Sequence, residues 1–384
     1  PGPRPPLMAE PGGATWALVA GGGTAGHVLP ALAVAQALVA RGHAASSIHF
    51  VGSARGIEAR LVPAAGFEVT LLPGRGLARR LTGANAGAVV GLGRAGVRAV
   101  ALMARRRPHV VLGVGGYASA PCALAAAALR VPMVVHEQNA VPGLANRLAA
   151  RFARASATSF EGTTLPRAVT TGNPVRREVL EVDRSPGGRA AAREALGVPS
   201  HRMVLAVFGG SLGARRINEV TRAMLEGWRR RDDLTVYHVV GSRDWASSPP
   251  PLAPDVAGGG LVYRAVEYEE RMPLLLAAAD VAVCRAGGTS VAELAAVGLP
   301  AVFVPLPIAP NDHQRANAAA LVRAGAAVLV PDAELTPERL AAEVGPLLDD
   351  PARRRAMSAA GLALARPDAA DRVASLLERH ARAG

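Results

Sequence analysis

Short apolar runs that end in glycine turns and lead into helical patterns recur through this chain. That succession narrows the possible folds more than any other feature. Thr15–Ala20 leads into Gly21–His27 (GGGTAGH) and an apolar helical stretch over Val28–Val39. His109–Val114 leads into Gly115-Gly116-Tyr117 and a helix over Ala118–Leu129. Met203–Phe208 leads into Gly209–Gly213 and a helix over Ala214–Trp228, and Val281–Cys284 leads into the loop Arg285–Thr289, with Ser290 opening a helix. Further strands are expected at Ile48–Val51, Pro132–Val135, Leu234–Val240, Leu261–Ala265 and Ala301–Val304, and closing helices at Pro337–Leu348 and Pro351–His380. Apolar strands alternating with helices build parallel sheets covered on both faces. The pattern restarts after the polar, Gly/Pro-bearing stretch Asp183–Ser200, which reads as a linker. The fold class is therefore α/β with two doubly wound parallel sheets. At 384 residues, each half has enough chain to bury its own core.

A strand, a glycine turn and a helix start together suit an anion, because unpaired N–H groups and the helix dipole both favour negative charge. At Cys284–Pro310 the loop residue Arg285 adds a fork of donors that fits a diphosphate. Ser290 and Glu293 fit the S-x-x-E capping box. Two readings of Glu293 stand on the residues alone: a helix cap, or an acceptor for the hydroxyl pair of a sugar beside the phosphates. Asp312, His313 and Gln314 follow the motif, where they can close over a sugar.

Gly21, Gly23 and Gly26 satisfy G-x-G-x-x-G, but the second strand ends in Gly52-Ser53. A dinucleotide site needs an acid there for the ribose, so NAD binding is disfavoured. His27 stands at the mouth of the turn, either facing a ligand or facing solvent at the helix start. His136-Glu137-Gln138-Asn139 closes another strand, at the end of a sheet where ligands bind. His136 and Glu137 either meet a ligand or pair to hold their loop. Cys122 and Cys284 have no metal-ligand spacing and point to a reducing compartment. Pro1–Gly13 lacks an apolar core and is expected to be disordered, not a secretory signal.

All 43 basic residues are arginine, against 30 acidic ones, and the net charge of +13 calls for anionic partners. Aromatics at 3 % leave no platform for stacked bases, which argues against nucleic acid. Arg75–Arg107 concentrates the charge: Arg75, Arg79, Arg80, Arg94, Arg98, Arg105, Arg106 and Arg107, with no Asp or Glu. Over Gly87–Met103 the pattern is helical, with Val89, Val97, Val100 and Met103 near one face and Arg94, Arg98 and Arg105 near another. Such an element either lies shallowly on an anionic membrane or is a solvated helix packed on its domain.

In order along the chain, GGGTAGH, GVGGYAS, HEQNAVPGLAN, TGNPVR, FGGSLGARRIN, CRAGGTSVAEL and NDHQRANA resemble the MurG family. These are the undecaprenyl-diphospho-muramoylpentapeptide N-acetylglucosaminyltransferases of bacterial cell-wall synthesis. The resemblance runs from about Thr15 to the end of the chain. It implies a GT-B fold, two Rossmann-like domains facing across a cleft. Residues 14–176 would form the acceptor domain, completed by the C-terminal helix at about 366–384, and residues 177–365 the UDP-GlcNAc domain. By the same resemblance Ser211 and its loop meet the diphosphate, Gly288, Thr289 and Ser290 border the nucleotide, and Glu293 holds the ribose. Gln314 meets the GlcNAc hydroxyls, backbone near Glu269 reads the uracil, and Asn139, Arg176, Thr24, Ala25 and Gly26 complete the donor site. Tyr117, His136 and Glu137 count with the substrate-binding residues. Ala25 stands where a second glycine is frequent in the family, and Gly288-Thr289 where Ala-Leu is common.

The implied reaction is an inverting transfer of GlcNAc from UDP-GlcNAc to the muramoyl C4 hydroxyl of lipid I, giving lipid II. His27 is the expected base and Glu293 its catalytic partner on the donor side. No Asp-x-Asp pair stands at a strand end, so neither an essential metal nor a cofactor is expected. The expected location is peripheral, on the cytoplasmic face of the cell membrane through Arg75–Arg107. The alternative is another GT-B enzyme, a secondary-metabolite glycosyltransferase or a sugar-nucleotide epimerase, acting on a soluble acceptor.

Overall fold

The computed structural model describes residues 15–54, 56–73, 84–210, 214–246 and 260–383, the side chains of 84–90 excepted. The expected disordered start at 1–13, Arg75, Arg79 and Arg80, the turn at Ser211 and the side chain of Val89 lie outside the described residues. Contacts divide the chain into two compact units. One comprises Pro1–Gln138, Pro142–Pro174 and Asp368–Gly384, the other Asn139–Val141 and Val175–Pro367.

The first unit is built on seven strands: β1 Ala17–Ala20, β2 Ile48–Ser53, β3 Glu68–Leu72, β4 Val110–Gly113, β5 Met133–Glu137, β6 Ala155–Thr158 and β7 Ala168–Thr170. They form one sheet in the order β3-β2-β1-β4-β5-β6-β7, and every pairing is parallel. Parallel neighbours need crossovers, supplied by α1 Ala25–Ala40, α2 Glu58–Ala64, α3 Ala84–Arg106, α4 Ser119–Ala128 and α5 Leu144–Ala149. Side chains alternate across a strand, so β1 feeds two cores. Ala17 and Val19 join Leu38, Phe50 and Leu112 on one face of the sheet, whereas Leu18 and Ala20 join Leu102, Met103 and Met133 on the other. The strand order reverses at β1 and β4, which puts the turns that follow them side by side: Gly22 N donates to Gly115 O at 3.2 Å.

The second unit opens with α6 Arg177–Leu180 and α7 Pro186–Ala195. It then alternates β8 Met203–Phe208, α8 Arg215–Gly227, β9 Leu234–Val239, α9 Ser242–Trp245, β10 Val262–Val266, α10 Met272–Ala278, β11 Val281–Cys284 and α11 Gly288–Ala296. β12 Ala301–Phe303, α12 His313–Arg323, β13 Ala327–Leu329, α13 Pro337–Asp349 and α14 Pro351–Leu364 complete it. Its six strands run parallel in the order β10-β9-β8-β11-β12-β13, so the sheet reverses at β8 and β11.

Two expectations about this half are corrected. The linker at Asp183–Ser200 contains α7, capped by Ser185 Oγ accepting from Gly188 N at 3.1 Å. What holds this polar segment is buried charge. Asp280, at the foot of β11, takes Arg193 Nη2 at 2.8 Å and Val204 N at 2.7 Å, and Arg189 as well. The closing helix expected over Pro351–His380 is two, because Pro367 lies in the break between α14 and α15 Ala369–His380. α15 groups with the first unit, where Glu378 accepts from Arg41 Nε at 3.1 Å and Val373 and Leu377 enter the core.

Candidate functional site

In the second unit the buried strand β11 delivers the chain to an uncapped helix start. α11 begins at Gly288 with Gly287 as N-cap, two residues before Ser290, and no side chain caps it. The expected Ser290–Glu293 capping box is therefore not formed. Gly287 already holds the extended cap conformation (φ −64°, ψ 146°), so Ser290 falls inside the helix. The first turn carries no acid, and a Cβ built on Gly287 would meet nothing within 4 Å. Gly288, Thr289 and Ser290 thus make up the first turn of α11, whose positive dipole end favours an anion and carries no acidic side chain of its own.

Glu293 lies one turn further in. Its Oε1 accepts from Arg176 Nη2 at 3.2 Å. Burial pushes its pKa above the usual carboxylate value, and the nearby Arg176 guanidinium pulls against that shift. Arg285 corrects a second expectation. Its Nη1 donates to Val304 O and Pro305 O, both at 3.1 Å, and to Asp332 Oδ1 at 2.5 Å. It ties down the end of β12 and does not reach for a diphosphate, because carbonyls left at the strand end need a donor.

Gln314 Oε1 accepts from Leu306 N at 2.9 Å, which orients the amide and leaves its amino end as the donor. The sequence reading missed Asn317, which is fully buried. It donates to Ala286 O and to Asn139 Oδ1, both at 3.1 Å, and accepts from Ala140 N at 2.8 Å, so it ties Asn139 to the turn after β11. Glu269 is buried and accepts from Tyr237 Oη and from Arg271 N at 2.8 Å. Burial raises its pKa, but these hydrogen bonds and the Arg271 charge outweigh burial and hold it below the usual range. The effect is to fasten the 267–271 backbone to β9.

In the first unit the GGGTAGH turn has φ of 146°, 144° and 94° at Gly21, Gly22 and Gly23, a run that only glycine adopts easily. α1 starts at Ala25 with Thr24 as N-cap and Gly26 in its first turn. Thr24 Oγ1 lies 3.0 Å from His27 Nδ1. The His27 ring rests over Gly115, where an added Cβ would stand 3.2 Å from Nε2. Tyr117 Oη donates to Pro73 O at 2.9 Å.

His136 is fully buried, and burial lowers its pKa to about 4, so it is neutral near pH 7. Its Nδ1 meets Gln138 Nε2 at 3.2 Å. Glu137 Oε2 accepts from Gly143 N at 3.0 Å and Asn146 Nδ2 at 2.9 Å. These two residues and Gln138 form a buried brace, and Asn139 leads out of it.

α3 buries Ala95, Ala99, Leu102 and Met103 and exposes Arg94, Arg98 and Arg105. Val97 and Val100, expected beside Met103 on an apolar face, are exposed at 72 % and 37 %. The small alanines let the helix pack closely, and that rotates the valines outward. α4 packs against both α3 and α5. Leu124, Leu144, Leu148 and Phe152 are exposed on and just after α4 and α5, with Arg147 and Arg151 among them. Among the described residues no helix is long and apolar enough to cross a membrane, and no group of three or more His, Cys, Asp or Glu could hold a metal ion.

Residues 17–158 match the glycosyltransferase family 28 N-terminal domain and residues 204–373 the glycosyltransferase family 28 C-terminal domain. The UDP-N-acetylglucosamine–N-acetylmuramyl-(pentapeptide) pyrophosphoryl-undecaprenol N-acetylglucosamine transferase of Nocardioides sp. is 46 % identical over 94 % of this chain and 96 % of that protein. The enzyme of the same name from Desulforudis audaxviator is 39 % identical over 96 % of this chain and 99 % of its own. The crystal structure of Acinetobacter baumannii MurG superposes with a TM-score of 0.69 at 30 % identity, covering 95 % of this chain and 99 % of that one.

Proposed function

The chain belongs to glycosyltransferase family 28 and, within it, to the MurG transferases; on that premise we propose that it moves N-acetylglucosamine from UDP-GlcNAc to the C4 hydroxyl of the MurNAc-pentapeptide of lipid I, giving lipid II for peptidoglycan synthesis. One observation carries the donor half: an uncapped, acid-free helix start at Gly288, followed one turn later by a carboxylate held by Arg176. That pairing fits a diphosphate followed by a ribose. The diphosphate lies at the positive end of α11, at Gly288, with Ser211 beside it as the family resemblance implies, and Glu293 accepts from the ribose hydroxyls. Gln314 offers its amino group to a GlcNAc hydroxyl. The 267–271 backbone, fastened through Glu269, faces the uracil, while Asn139 and Arg176 finish the donor pocket.

The acceptor is the first unit's substrate. His27 takes the proton from the C4 hydroxyl as that oxygen attacks the anomeric carbon, and UDP leaves from the opposite side with inversion. Thr24 Oγ1, 3.0 Å from Nδ1, orients the imidazole for that step. The charge that grows on the leaving diphosphate meets N–H groups already aimed at it, which need no reorganisation. With a lipid I analogue, His27→Ala should lower UDP release by ~10²-fold or more while UDP-GlcNAc affinity holds. Turnover close to that of the unaltered enzyme would remove His27 from the mechanism.

The lipid-borne acceptor accounts for the basic, partly apolar surface of α3 to α5. This surface rests on the anionic cytoplasmic leaflet, peripherally. Each arginine near such a leaflet contributes ~1 kcal/mol. Replacing Arg94 and Arg98 together by Gln should therefore lower sedimentation with anionic vesicles by about 30-fold, and raised salt should mimic the change. Undiminished vesicle binding would rule this surface out.

A further inference from the structure

The GGGTAGH turn is held by a carboxylate that the transfer chemistry does not call for. Glu58 opens α2 and is 1 % exposed. Its Oε2 accepts from Gly23 N at 2.8 Å and its Oε1 from Ser53 N at 2.6 Å. Three glycines make room for it: a Cβ on Gly22, Gly52 or Gly56 would come within 2.5, 2.3 or 2.0 Å of the Glu58 side chain. On its other side the turn is pressed against the second glycine turn, where a Cβ on Gly116 would come 2.2 Å from Gly22 O. The turn is thus clamped from two directions, and Thr24 and His27 stand on it.

We infer that Glu58 is a positioning residue: by holding Gly23 it fixes the Thr24–His27 pair, without touching either substrate. This rests on the reading of His27 as the base. A carboxyl group whose two oxygens accept from two backbone amides, at 2.8 and 2.6 Å, makes short, directional bonds. It also fills, from inside the protein, the position an outside phosphate would take at such a turn. If the clamp loosens, the imidazole drifts, and a 1 Å displacement of a catalytic group can cost ~10²-fold in rate. Donor binding, which is the second unit's task, should not respond.

Two variants test this from different sides. Glu58→Gln keeps the size but turns an amino group toward one of the two amides. Gly56→Ala keeps the carboxylate and pushes a methyl into it, at a glycine whose φ is outside the left-handed region. In both, kcat should fall ~10- to 100-fold, UDP-GlcNAc affinity by calorimetry should stay within about twofold, and amide hydrogen exchange at Gly23 should speed up by roughly tenfold or more. Full kcat in Glu58→Gln, or lost kcat with unchanged exchange at Gly23, overturns the inference. If Glu58→Gln does not fold, Gly56→Ala decides by the same readings. A failure of the base itself looks different, since His27→Ala would then turn over normally. Full activity in the Glu58 and Gly56 variants beside an inactive His27→Ala sinks the clamp alone.

Discussion

In the first unit the amide of Gly23 is met by the buried carboxylate of Glu58; in the second, α11 opens on Gly287 with no acid in its first turn and no side chain over its cap. Both places are strand, glycine turn and helix, at the point where a parallel sheet reverses its order. The local sequences offer the same N–H groups and the same dipole. They differ in whether the protein supplies the anion itself. In the proposed reading the internal carboxylate makes the first turn a platform for side chains, and the second turn, without one, receives a ligand's phosphates. A glycine-rich turn alone therefore does not report a nucleotide site; what lies beneath it does.

The strongest way to break this comparison is to give the second turn its own anion. Gly287→Asp places a good N-cap at a position with cap dihedrals, so it should stabilise the unit by a few tenths of a kcal/mol in thermal unfolding. The same carboxylate would stand beside a bound diphosphate, so UDP-GlcNAc affinity should fall on the order of 100-fold. A variant that gains stability and still binds UDP-GlcNAc normally would show that the α11 start is not the receptor.

Glu293→Gln asks a narrower question. Hydrogen bonds to an ionised acceptor are worth ~1.5–3 kcal/mol, so donor affinity should drop about 10- to 100-fold. UDP and the 2′,3′-dideoxy nucleotide should then bind Glu293→Gln equally. A remaining preference for UDP would move the ribose contact elsewhere.

The smallest effect is on pH. Burial raises the Glu293 pKa and Arg176 opposes the rise. Donor binding through the ionised form should therefore weaken as pH falls through that raised value, earlier than for an exposed glutamate. In Arg176→Met the opposing charge is gone, the pKa climbs further, and the acid limb of donor affinity should move to higher pH. Stability runs the other way. The folded state holds this proton more tightly than the unfolded chain, so the group's contribution declines as pH rises from the ordinary value to the folded one and is level above it. An acid limb that stays in place would separate Arg176 from Glu293 in function.

Much of the architecture was legible because it depends on short-range pattern. β8 runs over Met203–Phe208 as read, and both sheets follow from apolar strands alternating with helices. β3 begins on Glu68 and β7 is a wholly exposed edge strand, so neither carries the apolar signal of a buried one. α7 escaped because its anchor is ionic, through Arg193 to Asp280, 87 residues along the chain. Glu293, Gln314 and His27 could be named as candidates from type and spacing, and they remain candidates. The direction of Arg285 could not be read, since a guanidinium beside a glycine loop can turn to a phosphate or to carbonyls, and only the end of β12 decides which.

The amino-acid order by itself determined that this chain makes two parallel sheets with glycine turns at their reversal points, because strand and helix periodicities and turn residues act within a few positions of one another. Tertiary structure alone decided which turn is already filled. Glu58 lies 35 residues from the amide it accepts, and nothing in its immediate neighbours says where its carboxylate will point until β1 and β2 lie side by side.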